Sequence, residues 1–331
     1  MGETRLGITG LVDLAAARVG GKAVAANDEF FAPKGNLLLP GRGVFIEGKY
    51  TTRGKWMDGW ETRRRRTPGY DWCIVRLGVP GVIRAFTVDT NYFRGNHPEA
   101  CSIEAATVTG TSPQALAKAT WTEVLARSLL QGHHENQFHA GRVTDDRVTH
   151  VRLNIYPDGG VARLRVWGEA RPDWRALAKK RVDLVSVQHG GVPLAASDQF
   201  FSEPLNLLVP GRPVNMGDGW ETKRRRGPGH DWVIIRLGHR GTIAEVVVDT
   251  THFKGNYPDS CIVEACDDPR LAPTDLPVDR APWRELVPRA KLRANAQHRF
   301  AVKGAPTATH VRLNIFPDGG VARLRVFGRP T

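Results

Sequence analysis

Along much of the chain, apolar side chains recur at every second position. Val151, Leu153 and Ile155 alternate with Arg152 and Asn154, and Ala162, Leu164 and Val166 alternate with Arg163 and Arg165. A period of two places successive side chains on opposite faces of an extended strand, so each run predicts a half-buried strand. Pro157-Asp158-Gly159-Gly160 between them supplies turn residues that tolerate positive φ. The two runs are therefore expected to form a β-hairpin with a cationic outer face. Further strands are expected at residues 72–77, 82–88 and 102–107, each bounded by Gly, Pro, Asn or Asp. Only residues 11–18 and 122–130 read as brief helices. Many short strands with little helix predict an all-β fold, an antiparallel β-sandwich of jelly-roll type.

The pattern occurs twice. DLAAARVGGKAVAANDEFF from Asp13 returns as DLVSVQHGGVPLAASDQFF from Asp183, and DGWETRRRR from Asp58 as DGWETKRRR from Asp218. DTNYFRGN from Asp89 returns as DTTHFKGN from Asp249, and THVRLNIYPDGGVARLRV from Thr149 as THVRLNIFPDGGVARLRV from Thr309. Repeat spacings of about 20–50 residues mark solenoids, and this one is far longer, so each copy is expected to own a core. The expected organisation is one jelly roll over residues 1–168, a charged linker over 169–181 with a single helical turn, and a second jelly roll over 182–331. The first copy carries an insertion at residues 43–57, containing Lys49, Arg53, Lys55 and Trp56, which is expected to act as a lid or an interface.

Charge and cysteine usage narrow the class. The 331 residues hold 47 Lys plus Arg against 34 Asp plus Glu, a net charge of +13. No apolar run reaches the roughly 18 residues of a bilayer span and the opening residues lack a secretory pattern, so a cytoplasmic protein without membrane contact is expected. Cys73, Cys101, Cys261 and Cys266 are too few for a disulfide scaffold and are expected to be reduced, with Cys101 and Cys261 acting as small buried hydrophobes. No nucleotide fingerprint, P-loop or nucleophile elbow is present. Despite the charge, no nucleic-acid partner is expected, because no recognised binding motif accompanies it.

Two polar clusters carry candidate chemistry. Arg63-Arg64-Arg65-Arg66, matched by Lys223-Arg224-Arg225-Arg226, is either a solvated run or a source of one or two guanidinium forks for a small anion. In the loop after residue 88, Asn91, Asn96 and Arg94 offer amide and guanidinium groups suited to a urea-like ligand, or cap turns. His97 and His252 are candidate acid–base groups, and His97 is replaced by Tyr257 in the second copy. His150 and His310 are expected to make structural hydrogen bonds. His133-His134-Glu135 lacks metal-site spacing, and no tightly bound metal is predicted.

The motifs DGWETRRRR, DTNYFRGNHPE and HVRLNIYPDGGVARLRV, in this order and in tandem, resemble the allantoicase family over about residues 12–328. The resemblance implies two jelly rolls similar to galactose-binding modules, a homo-oligomer, and hydrolysis of allantoate to ureidoglycolate and urea without a predicted cofactor. It leaves room for a divalent metal held weakly by carboxylates. Allantoate is a carboxylate whose α-carbon bears two ureido groups. Candidates to bind it are Arg64, Asn91, Arg94, Asn154, Arg224, Lys254 and Asn314, and candidates for proton transfer are Glu61, Asp89, His97, Glu221, Asp249 and His252. Loss of the histidine at Tyr257 means that it is dispensable, that one copy is degenerate, or that one site is shared. The competing expectation is a sandwich that binds a carbohydrate or ureide without turnover.

Overall fold

The structure, a computed structural model, describes residues 10–141, 146–271 and 281–331. The chain divides into two compact units, Met1–Arg171 and Pro172–Thr331. In the first, the elements in chain order are β1 (Val12–Asp13), β2 (Lys22–Ala26), β3 (Tyr50–Thr51), β4 (Gly54–Lys55), β5 (Trp60–Glu61), β6 (Asp71–Asp89) and β7 (Ala100–Ala106). They are followed by helix α1 (Pro113–Ala117) and strands β8 (Thr122–Leu129), β9 (Glu135–His139), β10 (Val148–Tyr156), β11 (Gly160–Val161) and β12 (Arg163–Ala170). Among the described residues the second unit repeats the scheme without counterparts of β3, β4 and α1, and a four-residue helix, Trp174–Leu177, lies near its start.

One long strand organises each sandwich. The first part of β6 pairs with β2 and β10, and its last part pairs with β12 and β9, all antiparallel. One layer is therefore β2-β6-β10-β7-β8 and the other β1-β12-β6-β9, joined by β6. In the second unit Asp231–Asp249 plays the same part. The apolar alternation faces inward as expected: Val151, Leu153, Ile155, Leu164 and Val166 are fully buried. The jelly-roll sandwich follows from that period, because each strand has one apolar face to cover.

Several local expectations are corrected. The two runs around Pro157 do not pair as a hairpin: β10 and β12 lie on opposite sides of β6 in the strand order, one in each layer. Nor is their polar face a free cationic surface. Arg163 is buried on Asp58, and Arg152 is paired with Glu104. Residues 72–77 and 82–88 belong to a single strand. The β10 ladder jumps from Arg76 to Gly81, and Pro80, which has no N–H to pair, sits in that irregularity.

Residues 122–130 form strand β8 rather than a helix, because the edge of β7 offers unpaired backbone partners that outweigh the helix propensity of Glu, Leu and Ala. Residues 11–18 likewise give β1 and the start of a 3-10 turn, with the Asp13 carboxylate accepting from the backbone N–H groups of Ala15 and Val166. The helix of this unit is α1, started by Pro113 and by the Ser112 hydroxyl, which accepts from the Ala115 N–H. All four cysteines are free and buried, and burial pushes Cys101 and Cys261 up to about 12. Among the described residues no helix is long and apolar enough to cross a membrane.

Candidate functional site

The three repeated motifs meet at one end of the first sandwich, and main-chain bonds explain why. Thr62 exchanges hydrogen bonds with the Pro157-Asp158-Gly159-Gly160 turn: its N–H donates to the Gly159 carbonyl and its hydroxyl accepts from the Gly159 N–H, both at 3.1 Å. The Gly160 N–H donates to the Asn96 carbonyl at 2.8 Å, which ties in the third motif. Gly160 has no alternative here, since a Cβ would lie 2.0 Å from the Phe93 ring. Below this junction, buried Arg163 donates through Nη2 to Asp58 at 2.7 Å and through Nη1 to the Asp58 and Ala162 carbonyls. Trp60 is fully buried, with its indole N–H on the Asp28 carbonyl. Much of the repeated DGWET and GGVARLRV sequence is thus scaffold.

The junction encloses a cavity of about 530 Å³ lined by Phe31, Glu61, Thr62, Arg64, Arg65, Gly95, Asn96, His97, Glu99, Pro157, Asp158 and Gly159. Glu61 is half-buried, and Asn96 Nδ2 donates to its Oε1 at 2.7 Å. Burial raises the Glu61 carboxyl above its ordinary range, and the Asn96 bond opposes part of that rise. His97 Nδ1 lies 2.9 Å from the Arg94 carbonyl. A carbonyl only accepts, so Nδ1 carries the proton and Nε2 is the nitrogen left for a ligand.

The arginine run divides into two kinds of residue. Arg63 is paired with Asp28 at 2.8 Å, and Arg65 with buried Asp71 at 2.7 Å. Arg64 is exposed, lines the cavity and has no anionic partner among the described residues. The second copy repeats this arrangement: Lys223 lies 3.7 Å from Asp198 and Arg225 is paired with Asp231, which leaves Arg224 without an anionic partner among the described residues. There Asn256 Nδ2 donates to Glu221, as Asn96 does to Glu61, and Tyr257 takes the place of His97.

Other candidates from the sequence lie elsewhere or are already engaged. Asp89 is buried and holds Arg42 through two bonds of 3.1 Å, while Asp249 accepts from Gln297 Nε2 and the Thr251 N–H. Asn91 is buried and donates to the Gly43 carbonyl at 2.7 Å, anchoring the start of the insertion. His252 Nε2 donates to the Pro213 carbonyl at 3.0 Å. Asn154 and Asn314 sit on the sheets, donating to Glu104 and Glu264. The Arg94 and Lys254 side chains are exposed, and what Arg94 contributes is its carbonyl under His97. Asn96 was visible in sequence as one amide among several. Its reach to Glu61 was not, because that depends on a contact 35 residues away. Among the described residues no three His, Cys, Asp or Glu side chains are grouped to hold a metal ion.

Comparison with known proteins agrees with this architecture. The family model "Allantoicase repeat" matches residues 12–171 and 182–331. A probable allantoicase of Pseudomonas aeruginosa (strain UCBPP-PA14) is 50% identical over 323 residues, covering 96% of each chain. Probable allantoicase 1 of Burkholderia mallei is 49% identical over 321 residues, covering 96% of this chain and 94% of the other. The crystal structure of allantoicase from Saccharomyces cerevisiae superposes with a TM-score of 0.81 at 37% identity, covering 97% of this chain and 93% of that one. With both repeats matched and relatives this similar along nearly their full length, the chain belongs to the allantoicase family, hydrolases that act on C–N bonds of linear amidines.

Proposed function

We propose that this protein hydrolyses allantoate to ureidoglycolate and urea in the cavity around Glu61, and that Glu61 is the general base. The observation that carries this reading is the union, in one cavity, of an arginine without an anionic partner among the described residues and a half-buried carboxyl with raised proton affinity. Arg64 suits the substrate carboxylate, since a guanidinium fork offers two parallel N–H donors. The Asn96 amide and the carboxylates of the lining suit ureido groups, which both donate and accept.

In the reaction, the bond between the α-carbon and one ureido nitrogen breaks and water supplies the new C–O bond. Glu61 as carboxylate takes a proton from that water. The leaving nitrogen receives one, and His97, through Nε2, is the group suited to deliver it. Glu61 then gives up its proton and His97 regains one, so over the cycle each water ends as the hydroxyl of ureidoglycolate and the added proton of urea. The Glu–Asn pair recurs at Glu221 and Asn256. The histidine does not, and tyrosine ionises near 10. We therefore assign the faster turnover to the first repeat.

Urea release from allantoate by wild type, Glu61→Gln, Glu221→Gln and the double variant, with and without chelator, tests this. General acid–base groups contribute about 10²–10⁴ in rate. The larger loss is expected in Glu61→Gln and near-complete loss in the double variant. Unchanged urea release in Glu61→Gln removes the residue from the mechanism.

A further inference from the structure

A row of basic residues crosses the first sandwich. Lys22 on β2 is the cross-strand partner of Arg76 on β6, and Arg76 is the partner of His150 on β10. Cross-strand partners share a face, and like charges placed opposite one another destabilise a sheet. Lys34 joins the three around a cavity of about 730 Å³ that no carboxylate lines. Lys34 is paired with Glu29 at 2.7 Å, and Arg76 Nη2 donates to the Gly20 carbonyl at 2.9 Å. Lys22 has no anionic partner among the described residues.

His150 completes the row. It lines the cavity and is 1% exposed; its Nδ1 lies 2.8 Å from the Thr149 hydroxyl, and its Nε2 is buried with no hydrogen-bond partner. A buried polar atom without a partner is costly. Burial, and then the neighbouring Arg76, hold down the proton affinity of this imidazole. The Thr149 hydroxyl donates to the Val108 carbonyl at 3.2 Å, so His150 Nδ1–H donates to Thr149 and Nε2 is left as an acceptor.

The second copy is an internal control. Val192 and Pro204 stand where the first copy has Lys22 and Lys34, leaving Arg236 alone beside His310. The same sandwich forms without either lysine, so the fold does not require them. The cavity also shares no lining residue with the one around Glu61.

We propose that this cavity of the first repeat binds a second ligand, a small dianionic oxyanion, with Lys22, Lys34 and Arg76 supplying the positive charge. Phosphate and a dicarboxylate such as malonate share this chemistry. Neutralising the cationic row by such an anion gives part of the +13 net charge a local purpose.

Calorimetric titration of the full chain with phosphate, and separately with malonate, at constant ionic strength tests the assignment. One saturable site per chain is expected. Removing a hydrogen bond to a charged group costs about ten- to a hundredfold in affinity. Lys22→Val should weaken binding by that factor and Lys22→Val with Lys34→Gln should abolish it. Arg64→Ala should leave it intact, and urea release by Lys22→Val without added anion should match wild type. Binding of phosphate alone identifies a tetrahedral ligand, and binding of both anions identifies a site that reads charge. The proposal is overturned if neither anion binds saturably, if binding survives both lysine changes, or if Arg64→Ala removes it.

Discussion

The Asn96–Glu61 bond gives a prediction that rate alone cannot mimic. Asn96 donates to a carboxyl whose proton affinity burial has raised, and that bond favours the charged form. Asn96→Ala removes the donor, so the carboxyl holds its proton to higher pH. A hydrogen bond to a charged group is worth about 1.5–3 kcal/mol, and because Asn96 is exposed, water replaces part of it, leaving about 1 kcal/mol. At 1.36 kcal/mol per tenfold, this is about fivefold in acid dissociation constant. If Glu61 works as a base, activity falls as pH drops through its pKa. The acid limb of kcat/KM should therefore move to higher pH in Asn96→Ala and disappear in Glu61→Gln, whose kcat falls by about 10²–10⁴. The assay is urea release across pH in a Glu221→Gln background, so that only the first repeat contributes. An acid limb that stays in place in Asn96→Ala, or persists in Glu61→Gln, would refute the reasoning.

Arg64→Ala should raise KM by about tenfold with little change in kcat, the low end for a charge-assisted pair because Arg64 is exposed; initial-rate kinetics on allantoate show whether kcat falls instead. Arg163→Met strands Asp58 and should destabilise the first repeat by about 3–5 kcal/mol, read as a lower guanidinium midpoint, and a double change with Asp58→Asn should cost less than the sum of the two. No cysteine should react with a thiol reagent in the native protein at neutral pH, and all four should react on unfolding; a native reaction would contradict their burial. Burial holds His310 at about 4, below its unfolded value near 6.5. The unfolded chain then binds the proton first, so stability should fall as pH drops from about 6.5 to 4, and His310→Gln should flatten that slope.

The alternation at Val151, Leu153 and Ile155 was enough to predict half-buried strands, because a strand's own geometry sets a period of two and needs no distant partner. Internal repetition was likewise enough to predict two equivalent sandwiches, and the three long motifs to suggest the family. Pairing was a different matter. The Pro157 turn looks like a hairpin locally, yet β10 and β12 enter different layers because β6 is long enough to serve both. Residues 122–130 carry helix-forming side chains and still become a strand, because the edge of β7 decides their state.

The site divides in the same way. Residue types showed that Arg, Asn, Glu and His of the repeated loops could serve a ureide anion. Which of them do so was decided by partners far away in sequence. Asp28 and Asp71 engage Arg63 and Arg65, and of Arg64 and Arg66 only Arg64 lines the cavity and is left there for a ligand, while Arg42 engages Asp89 and Glu61 stays in the cavity. Chain-local chemistry fixes what a side chain can do. Its availability is set by charges and carbonyls that folding brings close to it, since a hydrogen bond forms only at about 3 Å and an ion pair weakens with distance and screening.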